Sequence, residues 1–253
     1  MNDLFQRHDI AAAFTLLTRL PVPADHETAA QRSGHAVWAW PLVGAALGVV
    51  AALAASIMLA LGAAPGIAAA VALAGLALAT GALHEDGLAD CADGLAGGHD
   101  RDKRLAIMRD SRIGAFGAVA LGLALLARWS GIETLATEGH LFWPLVAIGA
   151  MSRLPMALAL FTLPPARTDG LAAGVGLPPP QAIAAASAIA LTFALIAFGW
   201  GAIALVFWCL AATLPLFLTA RRLIGGQTGD ILGGSQQLAE IAGLAVATAL
   251  IAA

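Results

Sequence analysis

Apolar runs close to the length that crosses a bilayer recur along this chain, at residues 37–61, 66–83, 114–129, 141–161, 181–199, 201–220 and 238–253. A membrane helix needs about 20 mostly apolar residues, so the pattern predicts about seven transmembrane helices. Charged residues make up 11% of the chain, against roughly 25% in a soluble domain. Too few polar side chains remain to cover a water-facing surface, and lipid has to cover it instead. The expected fold is all-α: a polytopic membrane helical bundle forming one integral membrane domain over residues 1–253. Residues 3–19 read as an added N-terminal interfacial helix, with Phe5, Phe14 and Leu17 facing the lipid or the bundle. The run Ile10–Leu17 is too short for a secretory signal and is closed by Arg19 and "PVP" without a small-residue cleavage site. Two cysteines, Cys91 and Cys209, give no disulfide framework. The "GWG" at 199–201 is short enough to demand a tight hairpin.

Against this background one stretch stands out, "ALHEDGLADCADGLAGGHDRDKRLAIMRDSRIGAFG" at 82–117. It holds seven of the sixteen acids and five of the thirteen bases. Orientation follows from where Lys and Arg flank the spans. With the N-terminus inside, Arg7, Arg19, Arg32, the five bases of the charged stretch, Arg167, Arg221 and Arg222 all fall inside, eleven of thirteen. Arg128 is left as an outer flank of the third span, and Arg153 lies within the fourth. The expectation is a multi-pass protein of the cytoplasmic (inner) membrane with segment 84–113 facing the cytoplasm as its active-site region.

In "HEDGLADCADG", Asp86, Asp90 and Asp93 stand at i, i+4 and i+7, along one helix face. Like charges at that spacing repel, and carboxylates at a membrane edge are costly unless paired. A cation would hold them. Oxygen-only donors suit a hard ion, and Mg²⁺ in particular takes a few carboxylates plus substrate phosphates. His84 and Cys91 do not make a zinc set, since Cys91 points about 100° away from Asp90 around the helix and has no second cysteine nearby. Glu85, Asp100 and Asp102 read as solvated residues without a catalytic role. "RDSRIGAFG" follows, where Arg109, Ser111 and Arg112 could bind a phosphate, and Asp110 could join the carboxylates or act as a base. Arg153, deep in "GAMSRLPMALAL", is expected to meet an anionic substrate, with a buried carboxylate as its alternative partner. "RRLIGGQTGDILGGSQQLAE" is a glycine-broken polar segment. Its Gln227, Thr228 and Asp230 read as substrate-binding, and Glu240 as a further carboxylate. It is not a Walker A loop, lacking the Gly-Lys-Ser/Thr ending.

"LTRLPVP" (17–23), "WPLVGAALG" (40–48), "GALHEDGLADCADGL" (81–95), "RDSRIGAFG" (109–117), "SRLP" (152–155) and "RRLIGGQTGDILG" (221–233) occur in this order. Together they resemble the cobalamin synthase family, the adenosylcobinamide-GDP ribazoletransferases, over nearly the whole chain. Glu85 departs from the family pattern, where an apolar residue is usual. The resemblance implies a Mg²⁺-dependent membrane transferase that joins adenosylcobinamide-GDP to α-ribazole or its 5′-phosphate and releases GMP. On that reading Asp86, Asp90 and Asp93 hold the metal, and Arg109, Arg112 and Arg153 neutralise the diphosphate. Asp93 or Asp110 takes the proton of the attacking hydroxyl. The partners are these two substrates and the lipid bilayer, with no nucleic acid and with the oligomeric state left open. Two rivals differ in the residues they need. A CDP-alcohol phosphotransferase requires Ala-Arg soon after its first Asp-Gly, and Asp90 stands at that alanine. A transporter requires carboxylates deep within the spans.

Overall fold

The computed structural model describes residues 5–23 and 26–252, the side chains of His26 and Thr28 excepted. Residues 3 and 4 of the expected interfacial helix, Asp3 among them, lie outside the described residues. The described chain is helical: α1 Arg7–Leu17, α2 His26–Gln31, a 3₁₀ turn His35–Ala39, α3 Trp40–Ala60, α4 Pro65–Thr80, α5 Leu83–Gly97, α6 Arg101–Ile107, α7 Ala115–Thr137, α8 Phe142–Ser152, α9 Leu154–Thr162, α10 Leu171–Val175, α11 Pro180–Phe198, a 3₁₀ turn Gly199–Gly201, α12 Ala202–Leu223 and α13 Gly229–Ile251. No strand occurs among the described residues; a single bridge joins Pro165 and Gln227.

Prolines punctuate the helices where the sequence places them. Pro41, Pro65 and Pro180 sit in the first turns of α3, α4 and α11, where a missing N–H costs nothing. Pro155 breaks the ladder between α8 and α9 at Arg153. Small residues then let helices approach. Gly44 of α3 and Gly149 of α8 face each other so closely that a Cβ on either would collide with the other's carbonyl oxygen, the kind of contact that substitutes for hydrophobic driving force in lipid. Helix α13 is the centre of the bundle, packed by α5, α7, α8, α9 and α12.

The span count differs from the expected seven. By length and apolarity four stretches qualify: 35–60, 115–137, 142–162 and 180–223, with a fifth if the bent pair 65–80 and 83–97 is taken as one. Two expected runs fall inside 180–223, which the 3₁₀ turn at Gly199–Gly201 divides. The last expected run, 238–253, belongs to α13, which starts at Gly229 and spends its polar residues inside the protein. The third span is longer than 114–129 suggested. It extends to Thr137, which moves Arg128 from an outer flank into the helix interior.

Two features set up the site. The chain turns by 88° between α4 and α5, through Gly81 (φ +66°) and Ala82 (φ +57°) in succession. Alanine in the left-handed region costs roughly 1–2 kcal/mol, so packing holds this elbow in place. Helix α1 is pinned as well: the buried Asp9 accepts from Arg32 Nε (2.7 Å) and Trp38 Nε1 (3.0 Å).

Candidate active site

Helix α5 carries the acidic motif, and α13 lies against it. The contact is made by Gly87 and Gly233. A Cβ on Gly87 would meet Asp230 O at 3.0 Å and Gly233 Cα at 3.1 Å. Without side chains at these positions α5 reaches the first turn of α13, and the Asp86 and Asp90 carboxylates come up beside Asp230. Asp86 is exposed, and Asp90 and Asp230 are half-buried. Asp86, Asp93 and Asp230 all act electrostatically on Asp90, with Arg167 the opposing cation. Asp86 and Asp90 form no salt bridge among the described residues.

Asp93 follows a different course. Its Oδ2 accepts from the Gly114 N–H at 2.7 Å and its Oδ1 from the Gly117 N–H at 2.8 Å. These are orphan donors at the start of α7, and a carboxylate there also meets the positive end of the helix dipole. Asp93 therefore ties α5 to α7 with both oxygens. The expected three-carboxylate set of Asp86, Asp90 and Asp93 is not assembled. Among the described residues no three His, Cys, Asp or Glu side chains converge closely enough to hold a metal ion between them.

The polar segment before α13 contributes more than its side chains. Gln227 is buried and pairs through its backbone with Pro164 and Ala166, donating to Pro164 O and accepting from Ala166 N, each at 2.8 Å. Thr228 caps α13, accepting from the Ile231 N–H, and its hydroxyl donates to Asp230 Oδ2 at 3.1 Å. Arg167 Nη2 reaches the same oxygen at 3.3 Å. Arg101 on α6 clamps this corner, donating to Ile224 O and Ala166 O.

Two cavities meet at Arg167. One, of about 100 Å³, is a partly open pocket between α1, α3, α5, α9, α10 and α13 and carries Asp86, Asp230, His84 and Trp40 on its walls. The other is an open groove of about 510 Å³ lined by Arg101, Arg109 and Arg167 together with Asp102 and Asp169. Arg109 bonds Asp169 at 2.5 Å, with both side chains more than half exposed. Ser111 is exposed in the turn that follows. Arg112 and Asp110 pair with each other at 2.6 Å, and Arg112's hydrogen bond holds the Asp110 carboxyl down at about 2.

Arg153 lies elsewhere. It is 3% exposed and donates to Ser152 Oγ (2.9 Å) and Gly149 O (3.2 Å), inside a buried network where Glu240 and Glu85 act on it, the alternative surroundings named above. Arg128 stands at its centre, bonding Glu85 Oε1 at 2.7 Å, Glu240 Oε1 at 2.9 Å and Gln237 Oε1 at 2.9 Å. Glu85 is thus no solvated residue and Arg128 no outer flank: each is the other's partner, and with Glu240 they join α5, α7 and α13. The sequence signal was chemical: Arg128 and Glu240 each interrupt an apolar run, and a charge there has to find a partner.

The geometry therefore offers an acidic face beside a row of arginines at one rim of a helical membrane bundle. A family model described as cobalamin-5-phosphate synthase matches residues 9–248. The chain belongs to the cobalamin-5-phosphate synthase family. It is 44% identical over 243 residues to an adenosylcobinamide-GDP ribazoletransferase of Bradyrhizobium diazoefficiens, covering 95% of this chain and 93% of that one. A protein of the same name from Mesorhizobium japonicum is also 44% identical over 243 residues, covering 95% and 92%. One from Rhizobium etli is 42% identical over 252 residues, covering 96% and 97%. The relatives are transferases by name, and the chain is an enzyme of their family. No solved structure matches it.

Proposed function

We propose that this chain transfers the adenosylcobinamide-phosphate group of adenosylcobinamide-GDP to a hydroxyl of α-ribazole or its 5′-phosphate, at the inner face of the cytoplasmic membrane, releasing GMP. The observation that carries the reading is the meeting of Asp86, Asp90 and Asp230 with the arginine groove at Arg167. A diphosphate needs fixed positive charge where its own charge builds up, and a water-poor rim makes that charge count. Arg109, Arg167 and Arg101 supply it along the groove.

The donor set also fits Mg²⁺. It consists of oxygens alone, and it carries more negative charge than the one facing arginine balances. A site without a closed protein cage suits an ion that keeps several waters and binds one or two carboxylates plus substrate phosphates. Asp86 and Asp90 are the residues that would hold it, beside Asp230. Bound there, the ion would neutralise the diphosphate and stabilise the departing phosphate.

The chain's own residues do the rest. The acceptor hydroxyl oxygen attacks the phosphorus bearing the cobinamide. The bond from that phosphorus to the bridging oxygen breaks, and its electron pair leaves with GMP. The hydroxyl proton goes to a carboxylate. Asp93 has both oxygens engaged by α7, and Asp110 is a weak base beside Arg112, which leaves Asp230 on the cavity wall as the acceptor. The buried Glu85 and Glu240 do not favour a transport path: Arg128 is bonded to both, and the void beside Glu240 and Arg153, about 20 Å³, has room for about one water.

The test is incubation of the purified protein, in detergent or nanodiscs, with adenosylcobinamide-GDP, either acceptor and Mg²⁺. GMP should appear with the joined product and should stop on chelation. No GMP with either acceptor would overturn the assignment.

A further inference from the structure

Buried polar atoms in native proteins are almost all hydrogen-bonded, and each exception calls for an occupant or a strain. Six buried side-chain nitrogen or oxygen atoms lack a partner among the described residues. Three of them, Trp40 Nε1, His84 Nε2 and Arg167 Nη1, belong to residues that line the same pocket, the one of about 100 Å³ beside Asp86. Trp40 and His84 are each only 1% exposed, so bulk water does not satisfy them. The cavity, about 100 Å³, has several times the space one water needs. Its remaining walls are mostly apolar, Met156 among them, apart from Asp86 and Asp230.

That chemistry selects its occupant. The indole and guanidinium N–H groups are donors only, so the guest must bring acceptor oxygens. A phosphate dianion is a poor guest for the deep end of the pocket, because it would leave water for an apolar wall. A neutral sugar fits on both counts: its oxygens would accept from Trp40 and Arg167 once small side-chain rotations bring these now-covered N–H groups to the pocket wall, and its hydroxyl protons would turn towards Asp86 and Asp230. The anionic substrate already has the open groove on the other side of Arg167.

We propose that this partly open pocket is the acceptor subsite, holding the sugar of the nucleoside, while the arginine groove holds the diphosphate donor, the two meeting at Arg167. The assignment rests on the transfer reading above. Trp40, more than 40 residues from the acidic motif in sequence, becomes a specificity residue for the acceptor.

The experiment is isothermal titration of the full chain in detergent with α-ribazole alone and with adenosylcobinamide-GDP alone, alongside the KM for each. Trp40→Phe removes one N–H and should weaken α-ribazole about tenfold, the usual range for one buried hydrogen bond, with the donor unchanged within about twofold. Met156→Phe fills the cavity and should abolish α-ribazole binding with the donor still bound, and that retained binding reports an intact fold. His84→Gln answers the same question if Trp40→Phe does not fold. Unchanged α-ribazole affinity in these variants, or a loss of donor affinity instead, overturns the subsite. So does competition by inorganic phosphate against α-ribazole, which would place a phosphate in the cavity. If the wild type binds α-ribazole in this variant-dependent way but forms no GMP, the transfer reading fails and the subsite stands. If GMP forms while the variants bind α-ribazole normally, the subsite alone fails.

Discussion

Glu85 and Asp86 are neighbours on one helix, and they lead to two regions that treat charge in opposite ways. Inward, Glu85 and Glu240 meet Arg128 and Arg153, two acids with two bases, within a mesh that adds Gln236, Gln237 and Ser152. Outward, Asp86, Asp90 and Asp230 share Arg167. Burying an unpaired charge costs several kcal/mol, so the interior is matched in charge, with Glu85 Oε2 and Arg153 Nε its two unbonded atoms. The rim is left with uncompensated acid because water, and then a ligand, can balance it. The difference separates structural ionisable groups from reactive ones better than their spacing in sequence does.

The sharpest way to break this contrast is to neutralise charge in each region separately. Asp86→Asn and Asp90→Asn should each lower turnover by a factor of about 10³ or more, the scale on which preorganised electrostatic groups act, while the melting temperature in detergent holds or rises as repulsion is relieved. Turnover within tenfold of wild type would remove these residues from the reaction. Arg128→Leu should act on the fold instead. Stranding Glu85 and Glu240 is expected to cost about 3–5 kcal/mol, read as a lowered melting temperature. Adding Glu85→Leu and Glu240→Leu to that variant should recover most of it.

Three finer tests follow. Arg167→Ala should raise the KM for adenosylcobinamide-GDP by about 10- to 100-fold, since charge-assisted hydrogen bonds to phosphate are the strong ones. Asp93→Asn keeps one acceptor oxygen and should cost about 0.5–2 kcal/mol of stability through the start of α7, with little change in metal dependence. The smallest effect belongs to Asp110. Its folded-state value, about 2, lies below that of an unpaired aspartate, so its charge and its bond to Arg112 persist at neutral pH and are lost only as pH falls through about 2. Asp110→Asn should therefore leave the acid limb of the pH–rate profile where it is, and a displaced limb would return Asp110 to the role of base.

Much of the site was legible because its chemistry is local. The i, i+4 pair Asp86 and Asp90, the arginines after it and the Gln-Thr-Gly-Asp turn before α13 each lie within one element, and their polarity contradicts an apolar chain. What the sequence could not display was pairing across elements. Asp93 reads like its neighbours until α7 presents two N–H groups to it. Arg128 looks like a flank until α7 proves longer. Arg167 and Arg101 come into play only because the Pro165–Gln227 bridge folds one polar break onto another. The expected count of seven spans is not confirmed for a related reason: apolarity alone does not tell a helix wrapped in lipid from α13, which is wrapped largely in protein.

The elbow at Gly81 and Ala82 has a practical corollary for anyone handling this enzyme. The backbone N–H of Arg19 bonds Ala79 O, and the Arg19 side chain fills the space a Cβ on Gly81 would need. Leu16 and Leu17 from the same arm wall the pocket beside Asp86. The amino-terminal arm is thus a wedge under the hinge of the reactive helix, and trimming it past Arg19, or straining it with a bulky fusion, should disturb the chemistry more than the same change at the far end of α13.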